Sequence, residues 1–315
     1  DMSQAFDSMP PSYESRESFN ADIAAWDVSN VTNMSGMFYN TEMFNADIGA
    51  WDVSSVTDMS NMFWNNKSFN ADIAAWDVSS VTNMSSMFHR NYVFNRDIGA
   101  WNVSNVTDFS SMFYNTEVFN KDISAWNVGK ATDMSSMFSN NKVLNAKIGD
   151  WDVGNVNNLG YMFSDTSFNQ NINNWDISEV SDISGMFANN LSFNQPLSDW
   201  DVSNVTNMSR VFQNSNFNQD ISSWDVGNVG DMSGMFAQNP SFNQDIREWK
   251  VTIRVNLKGM FDGASSMIND FGVEASPPAN WFFYLSNAQL NDRNFAEAIE
   301  ECLSEAPIDG KCYSS

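Results

Sequence analysis

Residues 44–63 read FNADIGAWDVSSVTDMSNMF, and the same sentence returns down most of the chain. Its tryptophan sets the stride. Trp26, Trp51, Trp76, Trp101, Trp126, Trp151, Trp175, Trp200, Trp224 and Trp249 stand 25 residues apart, with two intervals of 24. A fixed period of this length specifies coils that bury their apolar faces only against neighbouring coils, and it predicts a repeat solenoid. Within one coil, Trp26-Asp27-Val28 alternates in, out, in, which predicts a short strand with one buried face. Ser29-Asn30 then turns the chain. Val31, Met34 and Met37 recur every three residues, the spacing of tight turns or a short 3₁₀ segment. Asn40 is placed to close that segment in a left-handed conformation.

The expected fold is therefore a solenoid of short parallel β-strands stacked in about ten coils of 24–25 residues, joined by short turns or 3₁₀ segments, with a small C-terminal helical tail. Residues 1–18 are read as a partial preceding repeat or N-terminal cap, 19–261 as the ten coils, 262–290 as a capping segment and 291–315 as a helical, cysteine-containing tail. The opening DMSQAF matches the middle of a repeat, DMSSMF at 133–138, so the chain is read as beginning inside a coil. The tenth coil departs from the template at Lys250, Arg254 and Lys258, as expected near a boundary. The cluster Trp281-Phe282-Phe283-Tyr284 is a candidate plug over the last coil.

Composition excludes several partners. Thirty-nine acidic residues against 15 basic ones give a net charge of −24, which repels nucleic acid and anionic membranes. No run of 18 apolar residues predicts a membrane span. Cys302 and Cys312, the two cysteines of the chain, flank a loop containing Pro307 and Gly310. They read most simply as one local disulfide and hence an oxidising compartment, with free thiols as the alternative.

The frame Ile23-x-x-Trp26-x-Val28-x-x-Val31 follows the leucine-rich-repeat spacing with bulkier residues in the slots. The whole unit, NVTNMSGMFYNTEMFNADIGAWDVS at 30–54, resembles the mycoplasma-type surface lipoprotein repeat family of unknown function, itself akin to the BspA-like leucine-rich repeats of bacterial and protist surface proteins. The resemblance covers about residues 19–261. It implies a curved, leucine-rich-repeat-like solenoid on a cell surface, linked to adhesion, and brings no chemistry with it. The tail NFAEAIEECLSEAPIDGKC at 294–312 resembles the helical lead-in before further repeat blocks in large algal proteins of this kind.

Stacked coils turn repeated residues into ladders. Asn20, Asn45, Asn70, Asn95, Asn120, Asn145, Asn169, Asn194, Asn218 and Asn243 are read as a structural ladder whose amides satisfy backbone groups at a buried corner. Asp27, Asp52, Asp77, Asp152, Asp176, Asp201 and Asp225 fall on the outer face of the expected strand. At a coil spacing of about 4.8 Å, neighbouring carboxylates repel by roughly 0.9 kcal/mol in water. That makes the column a candidate calcium site, because hard cations take carboxylate oxygens. The alternative is turn-capping aspartates on a solvated face, screened by salt. A column after each Met-Phe pair, Tyr39, Trp64, His89 and Tyr114, is a candidate contact stripe for sugar rings or another protein; the alternative has these rings folding over the adjacent loop. Sequons at Asn30, Asn33, Asn66, Asn83, Asn102, Asn105, Asn190, Asn204 and Asn207 are candidate glycosylation sites, although the template N-V-T-N-M-S generates most of them. A threonine column (Thr32, Thr57, Thr82, Thr107, Thr132) suggests an ice-binding face but is interrupted at Asn157, Ser181 and Gly230.

No GxGxxG, Walker A, HExxH or GxSxG motif occurs, and the carboxylates form ladders rather than a cleft, so no enzyme is expected. Two functions follow. One is a subunit of an extracellular filament, appendage or coat held by self-association or by other surface proteins, with calcium lowering its self-repulsion. The other is a cell-surface adhesin whose solenoid face binds a carbohydrate or protein.

Overall fold

A computed structural model describes residues 17–252 and 254–282. The chain divides into two units, 1–283 and 284–315. The Cys302–Cys312 pair and the expected tail at 291–315 lie outside the described residues.

Residues 19–261 form a repeat solenoid, but its coils are held differently from the expected strands. Among the described residues there is no extended strand. Each coil contributes a single parallel bridge, in the series Asn33–Asp58–Asn83–Asp108–Asp133–Asn158–Asp182–Asn207–Asp231–Asn256. The bridge lies five residues after the Trp-Asp-Val triplet, not within it. From there alternate amides donate to the following coil: Met34, Gly36, Phe38 and Asn40 donate to the carbonyls of Asp58, Ser60, Met62 and Trp64 at 2.8–2.9 Å. The intervening amides close turns inside the coil, with Met37 donating to Met34, Tyr39 to Gly36 and Thr41 to Phe38. Every third-residue apolar position in this segment therefore reflects consecutive tight turns, as the spacing suggested.

Such turns require left-handed backbone at two places per coil. One column runs Gly36, Asn61, Ser86, Ser111, Ser136, Tyr161, Gly185, Arg210, Gly234 and Gly259, with φ between 55° and 65°. The second runs from Asn40 through Asn65, Arg90, Asn115, Asn140, Asp165, Asn189, Asn214 and Gln238 to Gly263. Asparagine dominates the second column and glycine is the commonest residue of the first, because these two enter the region at least cost. The Trp-Asp-Val triplet cannot continue into a strand, because turns flank it: Trp51 donates to Ile48 and Val56 to Val53.

One continuous apolar core runs from Ile23 to Phe282. The tryptophans from Trp51 to Trp249 are 2–4 % exposed, whereas Trp26, in the first coil, is 41 % exposed. Neighbouring indoles stack at 6.3–6.5 Å where paired, as in Trp76–Trp101 and Trp224–Trp249. Each also donates its Nε1–H to the coil before it, for example Trp51 to the Ile23 carbonyl at 3.2 Å and Trp249 to the Ile221 carbonyl at 3.1 Å. Burying an indole is thereby reconciled with its polar group. Two phenylalanine columns fill the rest, and they touch within a coil, as Phe38 on Phe44 at 3.9 Å.

The last coil is covered by the segment that follows. Helix α1 (Ser265–Phe271) ends on Gly272 in a left-handed cap. Phe261 donates to the Ala275 carbonyl in place of a further coil. Phe282 stacks on Trp249 at 6.3 Å, where an eleventh indole would lie, and Trp281 meets Phe261 edge-on. No helix among the described residues is long and apolar enough to cross a membrane.

Candidate functional site

The expected ladders separate into those that hold coils together and those that face solvent. Each asparagine of the Asn20–Asn243 series but the last accepts, through its side-chain carbonyl, the backbone amide of the next: Asn20 from Asn45 at 2.9 Å, Asn45 from Asn70 at 2.8 Å, and so on to Asn218 from Asn243 at 2.9 Å. The column lies on an exposed or half-exposed edge rather than in a buried corner. The buried polar column is a different one, which sequence reasoning passed over: Thr41, Asn66, Asn91, Thr116, Asn141, Thr166, Asn190, Ser215 and Asn239, all 6 % exposed or less. Asn190 shows its work. Its amide donates to the Phe168 carbonyl at 3.0 Å and its carbonyl accepts from Ser192 and Phe193. The signal was present as an unbroken Asn/Thr/Ser choice two to three residues before each phenylalanine of that column and before Leu144, which replaces one of them, hidden by the louder Asn that follows.

That column corrects two sequons. Asn66 and Asn190 are fully buried, so their amides are not open to a glycan. Asn33, Asn83 and Asn207 sit half-buried in the bridge column, where their carbonyls cap Ser35, Ser85 and Ser209. Asn105 and Asn204 spend their amides on the Ser79 and Ser178 carbonyls. Asn30 and Asn102 are exposed.

The aspartate column is exposed, as expected, but each carboxylate closes a turn two residues on. Asp27 accepts from the Ser29 amide at 3.1 Å and its hydroxyl at 2.7 Å, and Asp176 does the same with Ser178. Asp52, Asp77 and Asp201 cap Ser54, Ser79 and Ser203, while Asp152 and Asp225 cap Gly154 and Gly227. The serine hydroxyl, then its amide, holds the Asp52 carboxyl below the ordinary range, and these outweigh the repulsion from Asp77 and Asp27. At Asp52 capping thus outweighs the repulsion that motivated a calcium site. Among the described residues no three acidic, histidine or cysteine groups gather to hold a metal, and each carboxylate of the column closes an Asx turn. The threonine hydroxyls are likewise committed, Thr57 to the Thr32 carbonyl and Thr132 to that of Thr107.

The aromatic stripe does come together. Tyr39 stacks on Trp64 at 4.5 Å, Trp64 on His89 at 5.4 Å and His89 on Tyr114 at 4.5 Å. The Arg90 guanidinium lies 5.8 Å above the Trp64 ring. His89 Nδ1 is buried with no hydrogen-bond partner. Burial, helped by the Arg90 charge, pushes the imidazole down to about 4, so it is neutral at pH 7. After Tyr114 the column turns small: Ser139, Ser164 and Ala188 are 4–6 % exposed. They floor a cleft of about 400 Å³ that Tyr114, Tyr161, Asp165, Asn189 and Arg210 also line. Tyr161 belongs to the left-handed column, and its ring covers Gly185, where an added Cβ would come within 2.3 Å of it. A larger, more open groove of about 720 Å³ runs past Thr132, Asn155 and Asp176 and has no aromatic residue in its lining.

Three overlapping matches, at residues 44–146, 118–216 and 197–294, assign the repeats to the family described as Mycoplasma protein of unknown function, DUF285. The chain belongs to that family. No curated protein matches. Among solved structures, the functional domain of InlJ from Listeria monocytogenes, described as including a cysteine ladder, is similar at 11% identity and a TM-score of 0.19. That alignment covers 76% of this chain and 52% of the other, so the chain spans about half the length of that structure.

Proposed function

We propose that this member of the repeat family is a non-enzymatic, extracellular or cell-surface binding rod, an adhesin-type module whose recognition face is the edge formed by the Gly36 and Tyr39 columns. One observation carries the reading. Three columns that stack the coils keep one residue type throughout: tryptophan at 26 and its equivalents, phenylalanine at 38 and asparagine at 20. The two edge columns instead change from coil to coil, from glycine and serine to tyrosine, tryptophan, histidine and arginine. Repeats that need only to stack have no use for that variation; a surface that discriminates a ligand does. The edge is also mounted on the ladder segment, so its side chains project from rigid backbone.

A second reading, the filament subunit, is favoured by the first coil. Trp26 is 41 % and Met43 57 % exposed there. Against it, Trp281 and Phe282 already cover the last coil, which leaves end-to-end stacking without its second surface. Sedimentation velocity over a hundredfold concentration range, with calcium and then chelator in matched salt, separates the two. The binding rod sediments as one unchanging species in both. Concentration-dependent growth, strengthened by calcium, would replace it with the filament.

A further inference from the structure

We infer that the cleft beyond Tyr114 is a pyranose site, taking one sugar ring of a surface glycan. The inference rests on reading this edge as the recognition face and names its ligand. The ring column Tyr39–Trp64–His89–Tyr114 is covered face by face at 4.5–5.4 Å, so its interior rings offer only edges. Tyr114 differs, being stacked on His89 on one side with no ring of the described residues on the other. There it lines the cleft. Ser139 occupies its column one coil on, so a slot opens where a fifth ring would otherwise continue the series.

The slot's chemistry is mixed in the way a sugar requires. Tyr114 and Tyr161 supply apolar ring surface for the C–H face of a pyranose. Polar groups stand around it. The Asp165 carboxylate is fixed by the Ser164 hydroxyl at 3.1 Å, the Asn189 amide at 3.0 Å and the Lys142 ammonium at 3.4 Å, and Asn189 is in turn held by Asn214 at 2.9 Å. Arg210, in the left-handed column, lines the same cleft. The Asp165 carboxylate, oriented by its neighbours, and the Arg210 guanidinium on the cleft lining offer an acceptor and a donor to sugar hydroxyls. A volume of about 400 Å³ falls within the usual span of small-molecule sites, about 300–1,000 Å³. A nucleotide or other polyanion fits poorly, because the lining carries the Asp165 carboxylate beside Arg210, Lys142 is already paired with Asp165, and the chain has a net charge of −24.

The test uses the full chain and four probes: methyl β-glucopyranoside, methyl β-galactopyranoside, methyl α-mannopyranoside and chitobiose, each at millimolar concentration in saturation-transfer NMR. Transfer to the ring C–H protons of at least one probe is expected. It should fall at least about fivefold in Tyr114→Ala, a change of roughly 1 kcal/mol, and stay unchanged in Tyr39→Ala at the far end of the column. Ser139→Tyr guards against a misfolded alanine variant. It places in coil five the residue that coil four already carries, so it keeps the fold while filling the slot, and transfer should vanish. No transfer to any probe, or transfer in Tyr114→Ala and Ser139→Tyr undiminished from the wild type, would overturn the site. A chain that sediments as a monomer yet ignores all four probes removes the pyranose site and leaves the recognition face standing.

Discussion

Left-handed backbone and a buried imidazole are where single residues carry the most information. Gly259 has φ of 65° and open space around its Cβ direction, with Asp262 Cβ 3.9 Å away. Gly259→Ala therefore isolates the backbone term and should cost about 1–2 kcal/mol in urea unfolding. Gly185→Ala adds a collision with the Tyr161 ring, so it should cost more, and Tyr161→Ala in the same chain should recover part of the loss. Equal costs at the two glycines would mean that Tyr161 does not rest on Gly185. His89 makes stability depend on pH. Unfolded, it takes a proton near 6.5; folded, near 4. Between those values the unfolded chain binds more protons, so the contribution is complete above about 6.5 and is lost as pH falls towards 4. The full shift would be worth about 3 kcal/mol, which solvent screening of this half-exposed ring reduces to about 1–2. The capping aspartates Asp27, Asp52, Asp77, Asp176 and Asp201, held below their ordinary value by Ser29, Ser54, Ser79, Ser178 and Ser203, lose their contribution at still lower pH. Comparing urea midpoints at about pH 7 and 4.5, the wild type should lose more than His89→Ser. Parallel losses would contradict the buried neutral ring.

At the scale of the coil, two asparagine columns four residues apart do different work. Asn190→Ala leaves the Phe168 carbonyl and the Phe193 amide without partners in a buried place, and should cost about 2–4 kcal/mol. Asn194→Ala removes one exposed acceptor from the Asn218 amide, which water replaces at about 0.5 kcal/mol. Chemical denaturation of the two variants reads the contrast directly; similar losses would mean the buried column is not structural. The period, the apolar positions and the turn spacing around Met34 and Met37 were all legible from residue types. The position of the ladder was not. Trp-Asp-Val alternates like a strand, but its alternation serves to bury an indole and cap a turn, and a period of two over three residues cannot distinguish these. The ladder instead follows left-handed residues, which the sequence shows plainly as asparagine after Tyr39 or Trp64 and disguises as serine, tyrosine or arginine in the other column. The aromatic stripe was legible as a column. The cleft at its end was not, because Tyr161 joins it from a different column and a different coil.

Over the whole described unit, each coil contacts only its neighbours, so stability is a sum of coil and interface terms. Excising residues 77–101, one full period ending on Trp101, should leave every column in register, and the shortened chain should fold cooperatively with a modest drop in melting temperature. Excising 20 residues from the same place should not fold. A collapse of the 25-residue deletion would show that the coils are not interchangeable. The larger claim is that the edge columns are a recognition face set on the stiffest backbone of the molecule, the segment where coil meets coil. Residue-resolved amide hydrogen exchange tests it most directly. Slow exchange is predicted at Gly36, Phe38 and Asn40 and at their equivalents in every coil, with faster exchange around Asp27 and Asp52, whose neighbouring amides bond only within their own coil. Protection centred on the Trp-Asp-Val triplets, with rapid exchange at Gly36, Phe38 and Asn40, would contradict both the ladder and the rigid mount it gives the candidate site.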